Sequence, residues 1–390
     1  MKVIIALIFM ILSFTISAQA DQNIRLTNES YDTDGNKFLN ALTKANDHID
    51  QGRMTLAQLW LRIAYEHAPS AEARNNIKRL NSRIANLKPY RIQFSFALAP
   101  SSNVNNGTDD EVVILGGLPF AIDSQEQAYQ GYVLDTSLAL SYSISESARH
   151  RTDLIFNGTS RTIRLSGDYS RTTAQEVRGS DFNQSSVSFG ARHLLKTSET
   201  LTPLDIYGHI GKNWYGGSQL SYQINVGASQ GYILSDRLII RGTGSIRRTI
   251  RQDSSDNSST RKIISIGAQH AFPNNTNLAY DLSYEHNASD SAAISSRSIA
   301  ISASLGLPEI KTVKPIFQLR IEDRSFPEWN ALENVRSDQS TAASLILDFP
   351  TIQKYGFSPR FSLGFLRVNS NVSMHDRSSN SATISYHSTF

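Results

Sequence analysis

From Leu220 onward the chain reads apolar on every second residue: Leu220, Tyr222, Ile224, Val226 and Ala228 alternate with Ser221, Gln223, Asn225, Gly227 and Ser229. The same grammar recurs at Tyr132, Leu134, Leu138, Leu140 and Tyr142, at Ile299, Ile301, Ala303, Leu305 and Leu307, and at Tyr90, Ile92, Phe94, Phe96 and Leu98. Period two puts successive side chains on opposite faces of a strand. A half-exposed soluble sheet also alternates, but its strands run to about 5 or 6 residues, whereas these runs are about 9 to 14, the length a tilted strand needs to cross a bilayer.

The connections carry a second signal. Short turns fall at Ser145 to Ser147, Thr197 to Leu201, Ser235 to Asp236, Pro273 to Asn275, Pro308 to Val313 and Pro350 to Gly356. Long polar loops fall at Ser101 to Gln127, Ser166 to Asn183, Gln252 to Ser259, Asn287 to Ser295, Arg324 to Ser340 and Asn369 to Ser379, with one short exception around Gly216. Turns that alternate in length suit a protein whose two sides meet different surroundings, and the count predicts a transmembrane β-barrel of about fourteen antiparallel strands over residues 89–390. Trp214, Trp329, Tyr355 and Phe357 fall near predicted strand ends, where amphipathic rings suit a membrane interface.

Before the barrel the period is helical. Leu39, Ala45, Leu56, Leu59, Leu61, Ala64, Ile77, Leu80 and Ile84 recur at three-to-four-residue spacing, with Gly52 and Pro69 as punctuation. Helices are expected over Lys37 to Gln51, Met54 to His67 and Ala71 to Leu87, forming a small all-α domain at 37–88. Ala45, Gly52, Ala57, Leu61, Ala64 and Pro69 resemble a tetratricopeptide repeat, although Ala41, Lys44 and His48 stand where that family prefers Trp, Leu and Tyr. One repeat and an extra helix fall short of the ~3 repeats a free solenoid needs, so the segment is expected to lean on the barrel. It either binds a client through Trp60, Leu61 and Tyr65, or those rings pack between helices and the domain is a plug or spacer.

Met1 and Lys2, the apolar run Val3 to Phe14 and the small residues Ala18 and Ala20 read as a secretory signal peptide over 1–20, followed by a flexible segment over 21–36. No later run approaches the ~20 apolar residues of a spanning helix. The chain of 390 residues contains no cysteine, which excludes disulfides, thiolate metal sites and a lipidated N-terminal Cys, and its net charge of +3 gives no footing for nucleic acid.

On the inward parity the strands collect Arg91, Asp205, His209, Arg241, Arg247, Arg251, Asp281, Glu285, Arg320 and Glu322, the pattern of a polar, charge-lined lumen. Asp205 and His209 share a face four residues apart. No nucleophile elbow, zinc-protease helix or phosphate-binding glycine loop accompanies them, so neither an enzyme nor a cofactor is expected.

The first strand runs into its loop as Phe96, Ala97, Leu98, Ala99, Pro100, Ser101, Ser102, Asn103, Val104, Asn105, Asn106, which looks like the Pro-x-x-Asn-x-Asn segment of the surface lipoprotein assembly modulator (Slam) family. An Asn-rich turn after a proline-terminated strand is also common in barrel loops. Ala382, Ile384, Tyr386 and Phe390 resemble the terminal strand that the barrel-assembly machinery recognises, with Ser388 departing from it. The resemblance spans essentially the whole mature chain. It implies an outer-membrane protein of a Gram-negative bacterium that helps move exported lipoproteins or other proteins to the cell surface, its helical domain lying in the periplasm and touching the client. A porin-like diffusion channel for small solutes is the other expectation, with the same lumen acting as a charge filter.

Overall fold

The computed structural model describes residues 34–108, 112–115, 118–121, 126–166, 177–329, 335–352, 354 and 357–389. The expected signal peptide, Tyr355 and Phe390 lie outside the described residues.

Three helices come first: α1 (Asp34–Asp50), α2 (Met54–Glu66) and α3 (Ala71–Leu87). α1 therefore begins three positions before Lys37. Gly52 takes φ +69°, the left-handed conformation that lets the chain reverse after α1. Ser70 caps α3 by accepting a 3.1 Å hydrogen bond from the Ala73 amide, satisfying one of the free donors of its first turn. Ala41, Ala45, Ala57, Leu61 and Ala64 are almost completely buried, because small side chains on both partners let α1 and α2 approach closely, and Ile77 and Ile84 close the core from α3.

Fourteen strands then close a barrel: β1 (Tyr90–Ser101) pairs with β4 (Gly131–Glu146), and the order runs through β5 (His150–Leu165), β6 (Gln184–Leu195), β7 (Leu204–Tyr215), β8 (Ser218–Ser235) and β9 (Leu238–Arg251). It continues through β10 (Ser259–Ala271), β11 (Asn277–Ser289), β12 (Ser296–Gly306), β13 (Lys314–Phe326), β14 (Arg336–Asp348), β15 (Ser358–Ser370) and β16 (Arg377–Thr389), which returns to β1. Every pairing in the wall is antiparallel, so closure leaves no edge strand with unpaired backbone groups. The closing seam is interrupted: its register runs from Gln93↔Thr389 to Leu98↔Ile384 and resumes at Ser101↔Ser381, skipping Ala99 and Pro100, whose ring nitrogen carries no proton to donate.

The outer face is apolar. Ile224, Ile266, Leu282, Ile299, Ile301, Ile321 and Ile384 are exposed, with Ile266 and Ile301 at 59%, and the register carries this face round the wall through Ile224↔Ile210, Ile264↔Tyr284, Ile301↔Ile321 and Leu98↔Ile384. An apolar surface that is continuous around a closed wall is what lipid solvates. The opposite parity carries the polar and charged groups. No helix among the described residues is long and apolar enough to cross a membrane.

The expected short turns lie at one end of the barrel and the expected long loops at the other, but at that second end only 102–130 and 166–183 are long: 216–217, 252–258, 290–295, 327–335 and 371–376 are no longer than 349–357 at the short-turn end. A two-stranded hairpin, β2 (Val112–Leu115) with β3 (Leu118–Ala121), stands in the first long loop, where only loop is expected. The strands also run further than the alternation predicts: β11 continues to Ser289, β13 to Phe326, β14 starts at Arg336, and β15 and β16 leave only 371–376 between them. Beyond the lipid an apolar face is no longer needed, while the backbone still gains by pairing, so polar composition there does not mark the strand ends. Trp329 lies in the β13–β14 loop, three residues beyond the end of β13, with its ring edge-on to His375 at 5.9 Å.

Candidate functional site

The charged wall of the lumen is concentrated on β9 to β13. Arg247 and Arg261 are direct cross-strand partners, with Asn225 on one side and Asn287 on the other. Arg261 donates to Glu285, and Arg324 Nη2 stands 3.6 Å from the same carboxylate. Glu322 accepts from Arg320 Nη2 at 2.7 Å and from Arg324 Nη2 at 2.6 Å. Both carboxylates are buried, Glu285 at 6% exposure and Glu322 at 8%, and each is shared by two guanidiniums, which is how a buried charge is kept from a large desolvation cost.

Below this network a cavity of about 580 Å³ opens on the lumen, lined by Arg241, Ser265, Asp281, Ser302, Gln318 and Arg320 among others. A second, of about 690 Å³, lies on the opposite wall and takes in Asp135, Arg161, Asn213, Gln223 and Arg251. There Asp135 receives Arg161 Nε at 2.8 Å and Arg251 is paired with Asp253. Arg91 sits exposed near the short-turn end of β1. Asp205 and His209 face the lumen from one strand but do not work together: Asp205 is held by Arg192 at 2.6 Å, and His209 stacks on Tyr207 with centroids 6.4 Å apart. Among the described residues no group of three His, Asp or Glu side chains is arranged to hold a metal ion.

At the long-loop end, the Asn-rich segment after β1 is a clasp. Asn103, 4% exposed, donates from Nδ2 to the Gly107 carbonyl at 2.8 Å and to the Ser378 carbonyl at 3.2 Å, and accepts the Gly107 amide at 2.9 Å. Asn105 donates to the Gln127 carbonyl at 2.6 Å and accepts the Tyr129 amide at 3.0 Å. The two side-chain amides thus replace backbone pairing across the loop. Val104 and Tyr129 pack with Val133, Ile163, Val177 and Phe182, a small apolar core set inside the mouth over β4 and β5.

The three helical candidates do not form one surface. Leu61 is fully buried in the helical core, which overturns its expected contact with a client: on a helix this short the central apolar stripe is needed for packing. Trp60 lies under Lys44 of α1, 4.2 Å from ammonium to ring centroid, and Tyr65 lies under Lys78 of α3 at 5.3 Å. The rings therefore sit on different sides of α2. The contacts that matter at this end went unforeseen: Arg62 Nη1 donates to Ser388 Oγ of β16 at 2.6 Å, Lys88 Nζ to Gln58 Oε1 at 2.5 Å, and Thr55 shares a 2.8 Å hydrogen bond with Tyr90 of β1. Gln58 and Arg62, polar residues four apart beside Leu61 on the buried stripe, were the readable sign of a second packing partner. The helical domain is thereby fixed beside the closing seam. Burial lowers the Lys88 ammonium to about 8, with Arg62 adding repulsion.

Structural comparison finds barrels of low identity. The outer membrane channel DcaP of Acinetobacter baumannii matches with TM-score 0.43 and 11% identity over 77% of this chain and 96% of that one. OccAB3 of the same organism gives TM-score 0.39 at 8% identity, over 77% and 99%. The TodX monoaromatic hydrocarbon channel gives 0.40 at 8%, over 78% and 91%. Such values carry no functional argument. A comparison with curated proteins finds no match. The sequence model of the surface lipoprotein assembly modifiers, by contrast, matches residues 90–390, the entire barrel with its clasp and seam, and the chain belongs to that family.

Proposed function

We propose that this outer-membrane barrel delivers exported lipoproteins, or other exported proteins, to the cell surface, with the short-turn end and the helical domain in the periplasm. The observation that carries the reading is the family match over the whole barrel, residues 90–390. The attachment of the helical domain adds to it. Arg62–Ser388 and Thr55–Tyr90 tie the helices to the first and last strands, beside the seam broken at Ala99 and Pro100. A client held by α1 to α3 as a tetratricopeptide-like module is thus presented to the weakest joint in the wall. Trp60 and Tyr65, half-buried and each reachable from a different side of α2, are the contact residues of this reading. The terminal strand supports insertion by the barrel-assembly machinery.

The test is surface labelling of exported proteins in cells with and without the gene. One or a few clients vanishing from the surface while accumulating in the periplasm is the expected result. A second reading, a diffusion channel for small solutes, is favoured by the two lumen cavities of about 580 and 690 Å³, each with charged side chains in its lining. An unchanged surface together with ion conduction by the purified barrel in planar bilayers would replace the first reading with the second.

A further inference from the structure

The outer part of the β9–β13 wall holds more positive charge than it neutralises. Arg247, Arg261, Arg320 and Arg324 share only Glu285 and Glu322. Arg261 and Arg324 take Glu285, and Arg320 and Arg324 take Glu322, so no carboxylate among the described residues reaches Arg247. Arg247 is nonetheless placed directly across from Arg261 in the β9–β10 register, where like charges repel. The Nε atoms of both arginines are buried and have no hydrogen-bond partner among the described residues. The flanking groups do not supply an anion: Asn225 and Asn287 are neutral, the Asn287 amide nitrogen is held by the Ile294 carbonyl at 3.0 Å, and His209 lies one strand beyond Asn225.

Arg247, which no carboxylate among the described residues reaches, and Arg261 beside it, whose Nη2 is shared with Glu285 while its Nε is unpartnered, match an oxyanion with two or more acceptor oxygens, because a guanidinium donates from several N–H groups to carboxylate or phosphate. An anion bound there also removes the repulsion that the empty pair carries. We propose that Arg247 and Arg261 form an oxyanion-binding site on the lumen wall, taking a phosphate or carboxylate group. The site goes beyond the assembly role and does not depend on it.

The test uses the full chain purified in detergent and inorganic phosphate in equilibrium dialysis, with ionic strength held constant by chloride. Saturable phosphate binding is expected. The Arg247→Gln/Arg261→Gln double variant should weaken it about tenfold or more, the loss of charge-assisted hydrogen bonds. Arg248→Gln should leave it unchanged: Arg248 is the next residue, but it lies on the outer face, donating to Thr260. If the double variant fails to fold, Arg247→Lys, which keeps the charge and loses the fork, should still weaken binding. Competition with hexaglutamate separates the sources: displacement extends the site to side-chain carboxylates of a polypeptide, and its absence restricts the site to small oxyanions, each with phosphate binding intact. Absence of saturable binding, an equal loss in Arg248→Gln, or full binding by both Arg247 variants would overturn the site.

Discussion

The helical domain and the barrel bury opposite faces. In α1 to α3 the apolar residues meet one another, and Leu61 is 0% exposed; in the wall Ile266 and Ile301 are each 59% exposed and the charged Glu285 is at 6%. One rule produces both arrangements. Apolar surface leaves water, and the helices leave it by packing while the strands leave it by facing lipid. The difference lies in what encloses each part: the helices have only their own small side chains to exclude solvent, whereas the barrel borrows the bilayer and keeps its polar groups for the lumen.

The sharpest break of this comparison is Leu61→Ala. It removes a large apolar side chain wholly enclosed in the helical domain, and truncation of a buried leucine costs about 2–5 kcal/mol. Amide exchange in α1 and α2 should therefore accelerate by about thirtyfold or more, while protection of the barrel strands stays as it was. Coupled loss in the strands would show that the two parts share one core after all.

Next in size is a neighbouring pair on β10. Ile266 faces lipid, and Ser265, one residue away, lines the lumen cavity. Ile266→Lys places an ammonium against the hydrocarbon and should cost about 2–4 kcal/mol in urea titrations of the barrel refolded into vesicles. Ser265→Lys should cost much less, because the lumen solvates the charge. Equal costs would mean that the two faces do not meet different surroundings.

Those two parts were also unequally legible in the sequence. Counting the strands between the connections gave strand number, and period two, which lipid on one side forces on every strand, set the inward parity expected for Arg241, Arg247, Arg320 and Glu322. What parity does not contain is partnership. Nothing in the spacing says that Glu285 serves both Arg261 and Arg324, or that Asp205 is taken by Arg192, since cross-strand neighbours depend on a register set by turns. The Asn103 clasp was visible as a motif yet not as a mechanism, because its acceptor at Ser378 is supplied by the last strand. In the helices the stripe was read as a client surface at Leu61, when a domain this small has no core to spare. Arg62 and Lys88 pointed instead to a partner that only the closed barrel brings near.

The smallest effect tests that junction, where the two ways of leaving water meet. Lys88 is 8% exposed, donates to Gln58, lies 4.8 Å over the Tyr90 ring, and titrates at about 8 instead of its ordinary 10.5 because burial, and then Arg62, disfavour the charge. Below pH 8 the ammonium is protonated in both folded and unfolded chains and the junction carries it at a cost. Between pH 8 and 10.5 the unfolded chain holds a proton that the folded one has released, so stability rises with pH across that window and levels off above it. Docking of the helices on β1 and β16, followed by amide exchange of α2 and α3, should tighten from pH 7.5 to pH 10 more in the native chain than in Lys88→Met; tyrosines and other groups that titrate in the same range contribute to both and cancel in the difference. A native chain whose helices loosen relative to Lys88→Met over that interval would mean that the ammonium is stabilised at the junction, and that the barrel rim supplies it with a counter-charge instead of merely excluding water from it.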